Sequence, residues 1–184
     1  SQWSPTSSPV FVKWSGEVVI NEVAWAGTDS NYANDEWFEL YNNTDQPIDL
    51  TGWKILVSGK EITLKKVNNA IIPAKGYYLF ERTTDDTVKE ITTDVIFNLT
   101  GGFSNSGARI ELLKPNGEKA DEVNASDGWF AGDAIKYKTM ERISPRANGS
   151  SPANWQNNQG FRETGRSSNG GQIYGSPKRS NFGF

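Results

Sequence analysis

Ala108–Val123 reads ARIELLKPNGEKADEV. Ile110 and Leu112 oppose Arg109, Glu111 and Leu113, the period of two that sends successive side chains to opposite faces of a strand. Lys114-Pro115-Asn116-Gly117 breaks the run, and Glu118–Val123 resumes it. Asn-Gly tolerates the positive φ of a tight turn, so this stretch predicts an antiparallel hairpin.

The same grammar extends outward from that hairpin. Upstream lie Val95–Leu99 and the aromatic run Gly76–Arg82, where Tyr78 and Phe80 oppose Tyr77, Leu79 and Glu81. Glu61–Leu64 follows a turn at Ser58-Gly59-Lys60. Ile48–Leu50 and Trp53–Val57 flank Thr51-Gly52. In Glu36–Asn42, Phe38 and Leu40 take one face, Trp37, Glu39 and Tyr41 the other. Glu17–Ala26 opens the series, and Ile135–Ile143 closes it. The second faces are not purely polar, so some strands are expected to be covered on both sides. No helical stripe of useful length interrupts. Many short strands with frequent turns predict an all-β antiparallel sandwich or barrel.

Composition narrows the chemistry. The 184 residues contain 0 His and 0 Cys. That removes thiol nucleophiles, disulfides, zinc fingers and the Ser-His-Asp triad. Gly101-Gly102 and Gly170-Gly171 lack the strand-to-helix setting of a phosphate loop. Nothing marks a carboxylate pair in a glycosidase cleft. The expectation is therefore a non-enzymatic protein. A net charge of −3 argues against nucleic acid as partner. No stretch approaches the roughly 18 apolar residues of a membrane span. The charge is uneven. Residues 142–184 hold six cations against Glu163, leaving −8 on residues 1–141.

Three units are expected. Residues 1–15 form a Ser/Pro-rich arm with a candidate strand at Val10-Phe11-Val12-Lys13-Trp14. Residues 16–145 form the sandwich. Residues 146–184 form an irregular basic tail, rich in Gly, Asn and Ser, that packs on the sandwich or on a neighbour. The tail keeps Trp155, Phe161, Ile173, Tyr174, Phe182 and Phe184, too many large apolar groups for a disordered linker.

Several segments resemble the lamin tail domain family, in the version found in secreted and surface proteins of prokaryotes. They are Ile20-Asn21-Glu22-Val23-Ala24-Trp25, Asp35–Asn42 (DEWFELYN) and Ile48-Asp49-Leu50-Thr51-Gly52-Trp53. Met140-Glu141-Arg142, Ser151–Trp155 (SPANW) and Gly175-Ser176-Pro177 follow in order. The resemblance spans about Gly16 to Pro177. It implies an immunoglobulin-like β-sandwich and no reaction. In nuclear lamins the domain follows a coiled coil, which is missing here.

Candidate sites follow. Asp29, Asn31, Asp35 and Glu36 offer oxygen ligands from one loop, suited to Ca²⁺, which takes about 6–8 of them. Their spacing is not that of an EF-hand. The competing reading makes Glu22 and Glu39 strand residues bonded to backbone or to cations. No other cofactor is expected. N-x-[ST] triplets at Asn42, Asn98, Asn124 and Asn148 are glycan acceptors if the chain is exported. The opening residues fit a chain whose export signal has been removed, or simply a cut end.

Trp25, Trp37 and Trp53 are expected in the core. Trp3, Val10, Phe11, Val12, Trp14, Trp155, Phe182 and Phe184 are expected at assembly contacts. The function expected is an extracellular or cell-surface structural protein. Its partners would be copies of itself, in an oligomer or filament, or other surface proteins, joined by strand addition from the arm. The alternative is a surface ligand-binding module, for carbohydrate or Ca²⁺-dependent adhesion.

Overall fold

The structure is a computed structural model. It describes residues 16–160 and 164–181, without side-chain detail at 64–66. Expectations for Trp3, Val10, Phe11, Val12, Trp14, Phe161, Phe182 and Phe184 lie outside the described residues.

The Asn-Gly hairpin forms as its sequence dictates. β10 (Arg109–Leu113) pairs antiparallel with β11 (Lys119–Asn124). Gly117 takes a φ of 83°, and its N–H donates to the Lys114 carbonyl. On the other side β10 pairs with β4 (Lys54–Val57), which turns through Ser58 and Gly59 into β5 (Lys60–Glu61). Both turn residues have positive φ, 49° and 80°, as a two-residue hairpin with the sheet's own twist requires. The order β11-β10-β4-β5 makes the smaller sheet.

Among the described residues the larger sheet has seven strands. Its centre is β1 (Val18–Ala24), β2 (Trp37–Asn42) and β8 (Tyr77–Arg82). β12 (Met140–Arg142) and β13 (Trp155–Asn157) extend it beyond β1. β9 (Val95–Asn98) and β6 (Thr63–Val67) extend it beyond β8. The pairing of β8 with β9 is parallel; the others are antiparallel. A ribbon of β3 (Ile48–Asp49) and β7 (Ile71–Ile72) lies apart.

Alternation places the core between the two sheets. Phe38, Leu40, Tyr78, Phe80, Ile110 and Leu112 all point into it. Phe38 stacks on Phe80 at 4.5 Å and meets Phe97 edge-on at 5.3 Å. A fully buried ion pair closes the side between β12 and β11. Arg142 Nη1 lies 2.5 Å from Asp121 Oδ2 and also donates to the Ile20 carbonyl. Asp121 accepts from the Ile20 N–H. The Arg142 guanidinium lies over the Trp155 ring, 5.7 Å from its centroid.

Four expectations change. Glu61–Leu64 is not one strand: the chain leaves the smaller sheet at Glu61 and enters the larger at Thr63, with Ile62 buried at the crossing. Ile135–Ile143 is strand only over Met140–Arg142. Asp133 Oδ1 accepts from the N–H groups of Ile135 and Lys136, which holds a turn there and leaves Ile135 88% exposed. β7 and β13 were not foreseen, because two- and three-residue strands carry too little alternation to read. Trp155 is 5% exposed and donates to the Gly149 carbonyl, so it belongs to the core and not to an assembly surface.

Candidate functional site: a carboxylate-lined sheet face beneath the chain's own tail

The outer face of the larger sheet is buried but not apolar. Between Ile20 and Glu22 the register of β1 against β2 shifts, a bulge that adds one residue. Ile20 and Val23 still face the core, while Asn21 and Glu22 both bond outward. Glu22 pairs across the strands with Glu39 on β2 and with Glu141 on β12. Glu81 on β8 lies opposite Trp37. All four glutamates are at most 1% exposed.

Residues 164–181 roof this face. Ile173 packs with Ala24, Trp37, Leu79 and Val88. The polar contacts are specific. Glu22 accepts from the Ser176 N–H at 2.9 Å and the Thr139 hydroxyl at 2.6 Å. Glu39 accepts from the Lys178 N–H at 2.8 Å and from Asn21 Nδ2 at 2.7 Å. Asn181 Nδ2 donates to the carbonyls of Asn21 and Arg142, both at 3.0 Å. The carboxylates thus satisfy backbone donors of a segment without regular structure, which would otherwise be buried unpaired. Gly175 admits this closeness: a Cβ there would meet Trp37 Cζ2 at 2.7 Å and Glu22 Oε1 at 2.8 Å.

Burial shifts these groups. It pushes the Glu22 carboxyl up to about 8, with the neighbouring Glu141 adding to the rise. Burial also lifts Glu81 to about 8 and Glu39 well above its ordinary value. Hydrogen counting agrees. The Ser176 hydroxyl has one hydrogen. It lies 3.1 Å from Glu22 Oε2, 3.1 Å from Glu141 Oε1 and 3.0 Å from Asn181 Oδ1. A protonated Glu22 donates back to Ser176 and relieves this excess of acceptors. The arrangement holds a tail in place and presents no open carboxylate pair to a substrate.

The loop proposed for Ca²⁺ is distributed among partners. Asp29 accepts from the Asn31 N–H and from Asn169 Nδ2. Asp35 accepts from the Ser168 hydroxyl. Glu36 pairs with Arg82 at 2.6 Å and accepts from the Phe103 N–H at 2.7 Å. Burial still raises the Glu36 carboxyl to about 7. Among the described residues, no three acidic side chains converge on a metal-sized site. Asn98, Asn124 and Asn148 are exposed. Asn42 is wholly buried, and its amide donates to the carbonyls of Gln46 and Pro73, so this acceptor is closed in the folded chain.

A second feature opens between the sheets. A cleft of about 260 Å³ runs inward between the β3–β4 turn and β6. Leu40, Phe80, Ile62 and Leu112 line it, with Trp53, Val67 and Ala70 also on its wall. Its polar edge carries the Lys54–Glu61 ion pair at 3.0 Å. Sequence patterning did not reveal it, because its lining mixes ordinary core residues with turn and strand-edge residues that share no period.

The profile of the Lamin Tail Domain matches residues 13–127, which takes in β1 to β11. The chain belongs to the lamin tail domain family. Lamin tail domains are immunoglobulin-like structural and interaction domains, not enzymes. The match stops before β12, β13 and the roofing tail, so the carboxylate face joins matched strands to a later segment. A comparison with curated proteins found no match.

Proposed function

We propose that this lamin tail domain is a surface-located structural module that assembles with copies of itself, each N-terminal arm adding its Val10–Trp14 strand to a neighbour. The support is an asymmetry between the ends. Residues 164–181 are committed to their own sheet, while residues 1–15 carry, in Val10–Trp14, a β-branched and aromatic run on a Ser/Pro-rich tether. Among the described residues, β13 and β6 end the larger sheet and β11 and β5 the smaller, edges of the kind a pairing strand extends. The surface location follows the prokaryotic type that the sequence resembles.

Light scattering of the full chain against one lacking residues 1–15 tests the reading. The full chain is expected to associate and the shortened one to stay monomeric and folded. A full chain that is monomeric at high concentration refutes the proposal.

A further inference from the structure

We infer that the chain crosslinks itself: the Lys138 amine displaces ammonia from the Asn158 side-chain amide, with Glu141 carrying the protons, and leaves an isopeptide bond beside β12 and β13. The inference is independent of the assembly reading. It describes one event per chain and not turnover of a substrate. Three observations carry it.

The first is placement. β12 and β13 pair through Met140 with Asn157, Glu141 with Gln156 and Arg142 with Trp155. At the open end of that pair the Asn158 N–H donates to the Thr139 carbonyl at 3.1 Å. Lys138, the next residue out, exchanges backbone hydrogen bonds with Asp133, which fix its position. Its Nζ donates to the Asn158 carbonyl at 2.9 Å. That oxygen and the side-chain carbon Cγ hang from the same Cα. A rotamer change in the unbranched lysine stem carries the amine from one toward the other. Backbone pairing thus holds nucleophile and amide together before any reaction.

The second is the orientation of the amide. Asn158 is buried. The Gly160 N–H, which can only donate, lies 3.0 Å from Oδ1. Nδ2 therefore faces Glu141 Oε1, at 2.7 Å. A backbone N–H on the oxygen stabilises the negative charge that develops there when Cγ is attacked. A carboxyl on the nitrogen can protonate it as it leaves. Aminolysis of an amide needs both groups, and each sits on the atom it must serve.

The third is Glu141 itself. It is buried, and burial raises its carboxyl above the ordinary value, while the nearby Lys138 charge acts in the opposite sense. Oε1 also lies 3.1 Å from the Ser176 hydroxyl. Among the described residues Oε2 is buried without a hydrogen-bond partner. Such an oxygen is costly to keep, and here it can take a proton from the amine.

The step balances. The Lys138 ammonium gives up two protons by way of Glu141 and forms the Nζ–Cγ bond. The Cγ–Nδ2 bond breaks, Nδ2 takes up both protons, and an ammonium ion leaves. Nothing is oxidised or reduced. The product closes β12, β13 and their connection into a covalent ring, in a chain whose 0 Cys permit no disulfide.

Mass spectrometry of the folded full chain tests this. The intact mass is expected about 17 Da below that of the sequence, the loss of one ammonia. Tryptic digestion is expected to yield Tyr137–Arg142 joined to Ala147–Arg162. Lys138→Arg keeps the charge and Glu141→Gln keeps the shape. Both are expected at full sequence mass, without the joined product. Circular dichroism establishes folding of each; should Glu141→Gln fail to fold, Lys138→Arg and the joined product decide. A folded parent chain at full mass overturns the inference. So does a deficit that persists in folded Lys138→Arg, as a succinimide at Asn116-Gly117 would leave. A folded Glu141→Gln chain that links like the parent overturns it too.

Discussion

On the central strands β1 and β2 of the larger sheet both faces are buried, and they are held by different physics. The inner face carries Val18, Ile20, Phe38, Leu40, Tyr78 and Phe80 against the smaller sheet. Its stabilisation scales with apolar area and asks little of direction. The outer face carries Glu22, Glu39 and Glu141 beneath the tail, and Glu81 beneath Thr87, from whose N–H it accepts. Its stabilisation depends on each carboxylate meeting a particular donor, and an unmet group there is costly. One face tolerates approximate packing. The other demands one register of the roofing segment.

The largest expected effect is on the inner face. Phe38→Ala removes the ring that contacts Phe80, Phe97 and Phe103. It should cost about 3–5 kcal/mol in denaturant titrations, with little dependence on pH. An intermediate effect belongs to the roof. Gly175→Val drives side-chain atoms into Trp37 and Glu22. About 1–3 kcal/mol is expected, with faster amide exchange at Ser176 and Lys178 while Phe38 and Ile110 keep their protection. Equal loss on both faces would remove the distinction.

A smaller effect sharpens the comparison through pH. Glu22 titrates near 8 when folded and near its ordinary 4.5 when unfolded. The folded chain therefore holds more protons between those values. Stability is fully present below about pH 4.5 and declines as pH climbs toward 8. Glu81 acts in the same sense and window. Thermal melts should fall from pH 5 to 8.5, and Glu22→Gln should flatten that slope. Lowered carboxyls at Asp49, Glu118 and Asp133 oppose it only at more acid pH. The smallest effect lies far from both faces. Gly117→Ala forces a φ of 83° on a residue with a Cβ and should cost about 1–2 kcal/mol.

The contrast also explains what could be read in the sequence. The inner face was legible because Phe38 and Leu40, or Ile110 and Leu112, announce themselves by period. The same alternation assigned Glu39 and Glu81 to a second face without naming what covers it. Their partners lie far along the chain: Ser176 is 154 residues from Glu22, Lys178 is 139 from Glu39 and Asn181 is 160 from Asn21. These partners sit in a Gly/Ser/Asn segment with no period to follow. The reading of Glu22 and Glu39 as strand residues bonded to backbone agrees with their contacts, but the bonded backbone had no address. The proposed Ca²⁺ loop shows the converse. Asp29, Asp35 and Glu36 are close in sequence, yet each has its own partner.

The bond between Asn181 and Asn21 also bears on time. A chain made from its N-terminus presents β1 early and Asn181 160 residues later. In the interval Glu22 and Glu39 face water and ionise as ordinary carboxylates. Docking of the tail then takes up protons as well as ordering the chain. The closing step of folding is thereby coupled to the acidity of the compartment in which it occurs, and the coupling acts even if the sandwich beneath has already formed.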